Sequence, residues 1–246
     1  MFKARIKTDK LNEAIGAISA MVMEAKVRIG PDGLSTRAVD AANVAMVFLN
    51  LQSDAFESFD ATTGEIGLDI HKVKNLMDMA QKDSETELEL DELNHKLIIN
   101  MGGGLRYTTS LLPVSALRNE PKISKIDYPA HVVMRGDELW RAIKAAEAIH
   151  DYLYLGTTSD GDFYMEAEDV DKLRYDRTKD QLIQSASVTT RAMFSIDYLS
   201  DTCKFASKKE EIALDLKTDY PLTIGFKIAD GHGTVSYMIA PRVESA

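Results

Sequence analysis

Five histidines, one cysteine, an acidic run and a triple glycine are the residues of this 246-residue chain whose types could do chemistry. A hydrolytic metal site needs imidazoles or thiolates at ligand spacing, as in HExxH or paired cysteines. His71, His95, His131, His150 and His232 show no such spacing, and Cys203 has no second thiol. Gly102-Gly103-Gly104 follows an apolar alternating run without GxGxxG or a P-loop lysine, and reads as a hairpin turn needing positive φ. The run from Glu166 to Asp171 lacks the spacing and glycine of a calcium loop and reads as a solvated strand end and turn. No GxSxG elbow occurs. Cys203 falls on an apolar helix face, where a buried small hydrophobe is expected, and a lone cysteine fits a reducing compartment. These residues predict no metal, no cofactor and no enzyme, which leaves a binding or scaffolding protein.

The remaining chemistry is electrostatic. Net charge is −10, from 29 basic and 39 acidic residues, which taken alone argues against nucleic acid. The charges are unevenly placed. Over 9–22, 69–82, 137–150 and 195–209 they cancel, so the rest of the chain carries all of the −10. Asp9, Asp69, Asp137 and Glu138 stand at helix starts, where caps and the macrodipole account for acids; without them these segments stand at +4. On a helical wheel Arg141 and Lys144 lie opposite the apolar stripe of the third segment. Lys82 does so on the second with Lys72 and Lys74 at its flanks, and Lys204 and Lys208 sit beside or beyond the stripe of the fourth. Two readings stand: ordinary solvated faces, or one positive surface that touches phosphates without reading bases.

These segments share one apolar template, at positions 0, 3, 7 and 10. It reads Leu11, Ala14, Ile18, Met21; Ile70, Val73, Met77, Ala80; Leu139, Ala142, Ala146, Ile149; and Ile196, Leu199, Cys203, Ala206. Asp9, Asp69, Asp137 and Ser195 are the expected N-caps. Short alternating runs between them predict strands at Phe2–Lys7, Gly33–Asp40, Val44–Leu49, Glu85–Leu90, Lys96–Met101 and Leu105–Leu111. The second half continues with His131–Met134, Asp162–Glu168, Gln184–Thr189, Glu211–Leu216, Leu222–Ile228 and Thr234–Ile239. The expected fold is α+β, antiparallel sheets with two helices in each half.

The halves repeat. Leu11, Ala14, Ile15 and Ile18 are matched 128 residues later by Leu139, Ala142, Ile143 and Ala146, and the helices from Ile70 and Ile196 recur at an offset of 126. Such a period means two similar domains rather than a solenoid. The expected domains are 1–117 and 131–246, joined by a connector over 118–130. The connector carries Ile123, Ile126 and Tyr128 between two prolines, either left exposed or packed onto the sheets. No apolar run approaches membrane-spanning length and no signal-peptide core begins the chain, so a soluble, cytoplasmic protein is expected.

Several segments, in this order and spacing, resemble a known family. They are Met1-Phe2-Lys3-Ala4-Arg5, Leu34–Leu49 (LSTRAVDAANVAMVFL, with its Asp40-x-x-x-Val44 core) and Met193–Leu199 (MFSIDYL), then Tyr220-Pro221-Leu222, Phe226–Asp230 (FKIAD) and Ile239–Glu244 (IAPRVE). Over essentially its whole length the chain resembles the archaeal type of proliferating cell nuclear antigen, the DNA sliding clamp. The resemblance implies a DNA clamp fold and a homotrimer closed head to tail into a pseudo-sixfold ring, helices lining the hole. It implies double-stranded DNA held without sequence preference, and as partners a DNA polymerase, a clamp-loader ATPase, a ligase and a flap nuclease, bound through short interaction peptides; no membrane is implied. Nucleoid association follows if the chain is archaeal. A heterotrimer subunit, or a scaffold that never encloses DNA, remain the alternatives.

By position the resemblance places Arg141, Lys144 and Lys204 toward DNA, and helix geometry adds Lys10, Lys72, Lys74, Lys82 and Lys208. Asn12, Glu13, Ser19, Asn75 and Asp78 stand where the family often has basic residues. The implied peptide site comprises Val39, Asn43, Val44, Met46, Ile123, Ile126, Tyr128, Pro129, Pro221, Met238, Ile239, Ala240, Pro241 and Arg242, with Met46 and Met238 as adaptable walls. The implied subunit interface pairs the edge Gly104–Leu112, with Arg106, Tyr107, Thr109 and Leu111, against about Lys172–Leu182. There Lys172, Arg174 and Arg177 make the second edge locally basic.

Overall fold

A computed structural model describes residues 1–81, 83–120, 123–206, 208–209 and 211–243. The chain forms two compact units, Met1–Pro121 with Lys227–Val235, and Lys122–Phe226 with Ser236–Ala246.

The first unit opens with β1 (Phe2–Lys7), which runs without a loop into α1 (Thr8–Ser19). Then follow β2 (Glu24–Gly30), β3 (Gly33–Val39), β4 (Ala45–Gln52), β5 (Ser58–Ala61) and β6 (Gly64–Asp69), which leads directly into α2 (Ile70–Met77). A meander of β7 (Glu85–Asp91), β8 (Lys96–Met101) and β9 (Leu105–Ser110) completes it. The strands form an antiparallel sheet in the order β5-β1-β7-β8-β9, and a run β4-β3-β2-β6. In β1 alternation sends Phe2, Ala4 and Ile6 into the core and Lys3, Arg5 and Lys7 outward, opposite Glu89, Glu87 and Glu85 of β7. These exposed pairs, such as Arg5–Glu85 at 3.4 Å, stabilise little, but with the buried face they help set the register.

The second unit repeats the plan. β10 (Ala130–Met134) leads into α3 (Gly136–Ala146), followed by β11 (Tyr152–Thr157), β12 (Phe163–Glu168) and β13 (Lys172–Arg177). β14 (Thr190–Ser195) runs into α4 (Ile196–Ala206), and β15 (Ile212–Leu216) follows. The hairpin of β16 (Leu222–Ile228) and β17 (Gly233–Ile239) comes last, its tip counted with the first unit. The sheets here are β13-β12-β11-β14 and the run β10-β15-β16. No described helix is long and apolar enough to cross a membrane.

In each unit the two helices pack on each other, α1 on α2 and α3 on α4. Leu11, Ala14, Ile15 and Ile18 are buried, as are Leu139, Ala142, Ile143 and Ala146, so the 128-residue offset is a repeat of core positions. Cys203 is fully buried among them, and burial pushes its thiol up to about 12, which keeps it protonated and inert.

Several boundaries differ from those expected. The helices are shorter, leaving Met21, Ala80 and Ile149 beyond their ends. Asp69 does cap α2, its carboxylate accepting from the Lys72 N–H at 2.9 Å. Asp9 and Asp137 instead lie inside the first turns of α1 and α3, whose caps are Lys7 and Arg135. No side-chain cap is made at either, because lysine and arginine side chains hold no acceptor; tertiary carbonyls satisfy the first amide instead, Thr8 N–H donating to Ser84 O and Gly136 N–H to Lys209 O, both at 2.9 Å. The strand expected at Gln184–Thr189 is absent. Gln184 makes only an isolated bridge to Val133, and pairing starts at Thr190. Strands β2, β5, β6, β11 and β14 went unread; β5 has only four residues, and β11 follows a helix without a turn signal.

The matched junctions at Thr8 and Gly136 solve the same contact differently. Thr8 fills its site with a hydroxyl 2.8 Å from those of Ser84 and Thr86. Gly136 brings backbone onto backbone: a Cβ there would stand 1.9 Å from the Ala206 carbonyl oxygen at the end of α4. Gly136→Ala is therefore expected to lower unfolding free energy by about 2 kcal/mol or more. Urea denaturation checks this, and an unchanged midpoint would place the α3–α4 junction elsewhere.

Candidate functional site

The helix faces were expected to offer free cations, and most hold a carboxylate of their own unit instead. Lys72 pairs with Asp69 at 3.0 Å, Lys74 with Asp78, and Lys144 with Glu147, its ammonium also 5.2 Å from the Trp140 ring centre. Arg141, Lys204 and Lys208 are exposed, and Lys82 lies outside the described residues.

Lys10 is a correction. Its side chain is only 14% exposed, and its ammonium pairs with Asp230 at 3.1 Å. One helical turn on, the Glu13 carboxylate accepts from the Ala229 N–H at 2.8 Å. Ala229 and Asp230 both hold positive φ, 51° and 57°, a region that non-glycine residues avoid. The polar side of α1 thus grips the hairpin tip and leaves Lys10 little reach toward an external ligand.

The edge strands carry a second correction. β9 and β13 each end a sheet in the strand order above. On β9, Arg106 is exposed, Tyr107 half-buried and Thr109 buried, while Leu111 lies just past its end, half-buried. On β13 every expected basic residue is neutralised within its own unit. Lys172 reaches Glu168 at 2.7 Å and Glu166 at 3.5 Å, Arg174 reaches Glu166 and Asp176 at 2.9 Å, and Arg177 reaches Glu138 at 3.2 Å. Glu166 is the hub, and it is no solvated strand end: it is 8% exposed beneath Arg174, Lys172 and Arg191. The hydrogen bond from Arg174, helped by the charges of Lys172 and Arg191, holds its carboxyl below the usual range. Arg174 and Arg191 also stack on Tyr164 and Tyr154, at 4.5 and 4.0 Å from the ring centres.

The Asp40-x-x-x-Val44 core has a physical cause. Asp40 is buried, and its carboxylate accepts from Ala42 N–H at 2.9 Å and from Val44 and Ala45 N–H at 2.7 Å. These bonds fold 40–45 into a tight turn with Asn43 at φ 58°. Val39 and Val44 are half-buried and Asn43 exposed, while Met46 is 7% exposed on the β4 face it shares with Phe48 and Asn50, opposite the face of Ala45, Val47 and Leu49.

In the second unit Ile123, Ile126 and Tyr128 are half-buried and Pro129 exposed. The connector residues are therefore neither fully free nor fully packed. Pro221, Met238, Ala240 and Pro241 are half-buried as well. Ile239 is wholly buried, and only its backbone is available to a ligand. Arg242 anchors the tail, its N–H donating to Met193 O at 2.7 Å and its guanidinium lying 5.0 Å from the Tyr152 ring centre. Among the described residues no cluster of histidine, cysteine and carboxylates could hold a metal.

Two copies of one α+β unit, each with a helix pair over antiparallel sheets, define the DNA clamp class of protein. Known proteins agree. Residues 1–103 match the family described as "Proliferating cell nuclear antigen, N-terminal domain". The chain is 46% identical over 246 residues to the DNA polymerase sliding clamp of Methanococcoides burtonii, covering all of both chains. It is 47% identical over 247 residues to that of Methanocella arvoryzae, again covering all of both. Among solved structures it superposes on A. fulgidus PCNA, determined with the C-terminal region of FEN-1 bound, with a TM-score of 0.94, 33% identity and full coverage of both chains. The chain belongs to the proliferating cell nuclear antigen family of DNA polymerase sliding clamps.

Asp40→Ala strands three amide donors, and unfolding free energy is expected to fall by about 2–3 kcal/mol in chemical denaturation, with Asp40→Asn intermediate. For Glu166 the sign follows from its lowered pKa. Its stabilisation is fully present above the unfolded value near 4.5 and is lost as pH falls through the folded value. Glu166→Gln should therefore be less stable at neutral pH and show a flatter loss of stability below about pH 5. Parallel acid limbs for the two proteins would contradict this.

Proposed function

We propose that the chain is a non-catalytic processivity factor that closes into a homotrimeric ring around duplex DNA and tethers a replicative polymerase. Full-length similarity to curated sliding clamps carries this reading. A clamp-loader ATPase would open the ring, and a ligase, a flap nuclease and other repair factors would dock through interaction peptides. The chain would act in the cytoplasm at the nucleoid. In this reading 1–117 and 131–246 are the clamp domains and 118–130 the interdomain connector.

Arg141, Lys144 and Lys204, joined by Lys72, Lys74, Lys82 and Lys208, would meet the phosphates. Helix cations already tethered to carboxylates give weak, exchangeable contacts, which suit sliding better than a tight local site. Closure would pair β9 of one subunit with β13 of the next and remove both open edges. Because the β13 cations are matched at home, backbone hydrogen bonds and apolar contact rather than salt bridges would hold that joint. Client peptides would meet Val39, Asn43 and Val44, connector residues Ile123, Ile126, Tyr128 and Pro129, and Pro221, Met238, Ala240, Pro241 and Arg242, with Ile239 contributing backbone alone.

Light scattering across a dilution series tests the assembly: three 27.3 kDa chains give about 82 kDa. Primer extension on circular DNA tests the function, and replacing Arg141, Lys144 and Lys204 together by alanine should shorten the products without changing that mass. A persistent monomer would point to a heterotrimer subunit, and full stimulation by the triple variant to a scaffold that never encloses DNA.

A further inference from the structure

Tyr128 is tied into the sheet by a contact that no sequence pattern announces. It lies two residues before β10, yet its phenol oxygen accepts a 3.1 Å hydrogen bond from the hydroxyl of Thr223, on β16. In the order β10-β15-β16, the ring therefore reaches across one whole strand to meet a residue two strands away, about 10 Å at ordinary strand spacing. The residues beneath it form one polar row. His131 on β10 stands opposite Asp215 on β15, and Asp215 stands opposite Thr223. His131 Nδ1 and Asp215 Oδ1 are 2.6 Å apart, so the middle of the row is itself fixed. Partial burial raises the Tyr128 pKa, which keeps the phenol neutral and its hydrogen bonding intact across the physiological range.

A half-buried tyrosine on a connector has two rotatable bonds and few neighbours to settle them. A partner that must find that ring in one orientation meets an entropic cost, and a bond made in advance removes it. We propose that Thr223 is a positioning residue: its hydroxyl fixes the Tyr128 ring in the orientation in which it receives an incoming client peptide. This rests on the proposed assignment of the connector as peptide-binding. Thr223 does not touch the peptide itself; it acts through Tyr128. Asp215 and His131 in turn brace the row from which Thr223 projects.

The test uses the full-length protein and, as probe, a labelled synthetic peptide of the FEN-1 C-terminal region. Thr223→Val keeps the β-branched shape and removes the hydroxyl, and it is expected to weaken binding about fivefold, the worth of one ordinary hydrogen bond. Its melting temperature and solution mass should match the parent. Thr223→Ser restores the hydroxyl and should bring affinity back to within twofold of the parent. Tyr128→Phe breaks the same bond from the other side, so it should cost the same and add nothing to Thr223→Val. If Thr223→Val does not fold, the Tyr128→Phe comparison decides alone. Parental affinity in Thr223→Val and Tyr128→Phe, with binding lost in Tyr128→Ala, would overturn the role of Thr223 and leave the connector assignment standing. Parental affinity in Tyr128→Ala would remove both.

Discussion

Each of the four described α-helices is too short to stand alone. At 8 to 12 residues, each falls below the length at which a helix is stable in water, so tertiary packing must supply the stability. The solution is the same in both units: two helices lie side by side and bury one apolar stripe each against sheet strands. That constraint orders much of the rest. It fixes Leu11 and Leu139 as matched core positions, demands close helix ends at Thr8 and Gly136, and leaves one polar side of each helix free of packing duty.

On α2 and α3 local carboxylates hold the lysines of that side, as in Lys72–Asp69 and Lys144–Glu147; elsewhere partners come from far away in sequence. Lys10 meets Asp230 and Glu13 meets the Ala229 amide, more than 200 residues along the chain. Arg177 meets Glu138, and Arg191 meets Glu166. Among the described residues, many cations are thus held by a carboxylate of the chain itself. If the helices face DNA, a lining of tethered cations presents a softened field, attractive enough to centre a duplex and too weak to stop it.

The boundary between what was legible in the sequence and what was not follows from range. Periodicity marked all four helices, because an apolar stripe is a local signal. The alternation of Phe2–Lys7 and the turn residues around Lys96–Met101 marked their strands for the same reason. β6 and β14 escaped, and β6 shows why: its burial, with Ile66, Gly67 and Leu68 all covered, does not alternate as that of β1 does. Asp9 and Asp137 looked like caps, but α1 and α3 begin one residue before them, at Thr8 and Gly136, which leaves both inside the first turn. Arg141 and Lys144, carried over by position, fell on α3, and Lys204 on α4. Whether a side chain faces solvent was another matter: Ile239 points inward, and a one-dimensional pattern assigns a face only where the strand's own register is known.

The hairpin tip of β16 and β17 has a bearing on how the molecule is made. Lys227–Val235 belongs to the first unit, where Asp230 and the Ala229 amide fasten to α1 and the Gln52 amide donates to His232 O at 2.9 Å. During translation the ribosome delivers Met1–Pro121 early, yet it supplies Lys227–Val235 only after the residues between them. The early half must wait with part of its surface uncovered, and its contacts of highest sequence separation form at the end, which slows folding. A nascent clamp of this kind has its first unit completed only after the second has largely been made, and a product that stops short of Lys227 lacks part of both.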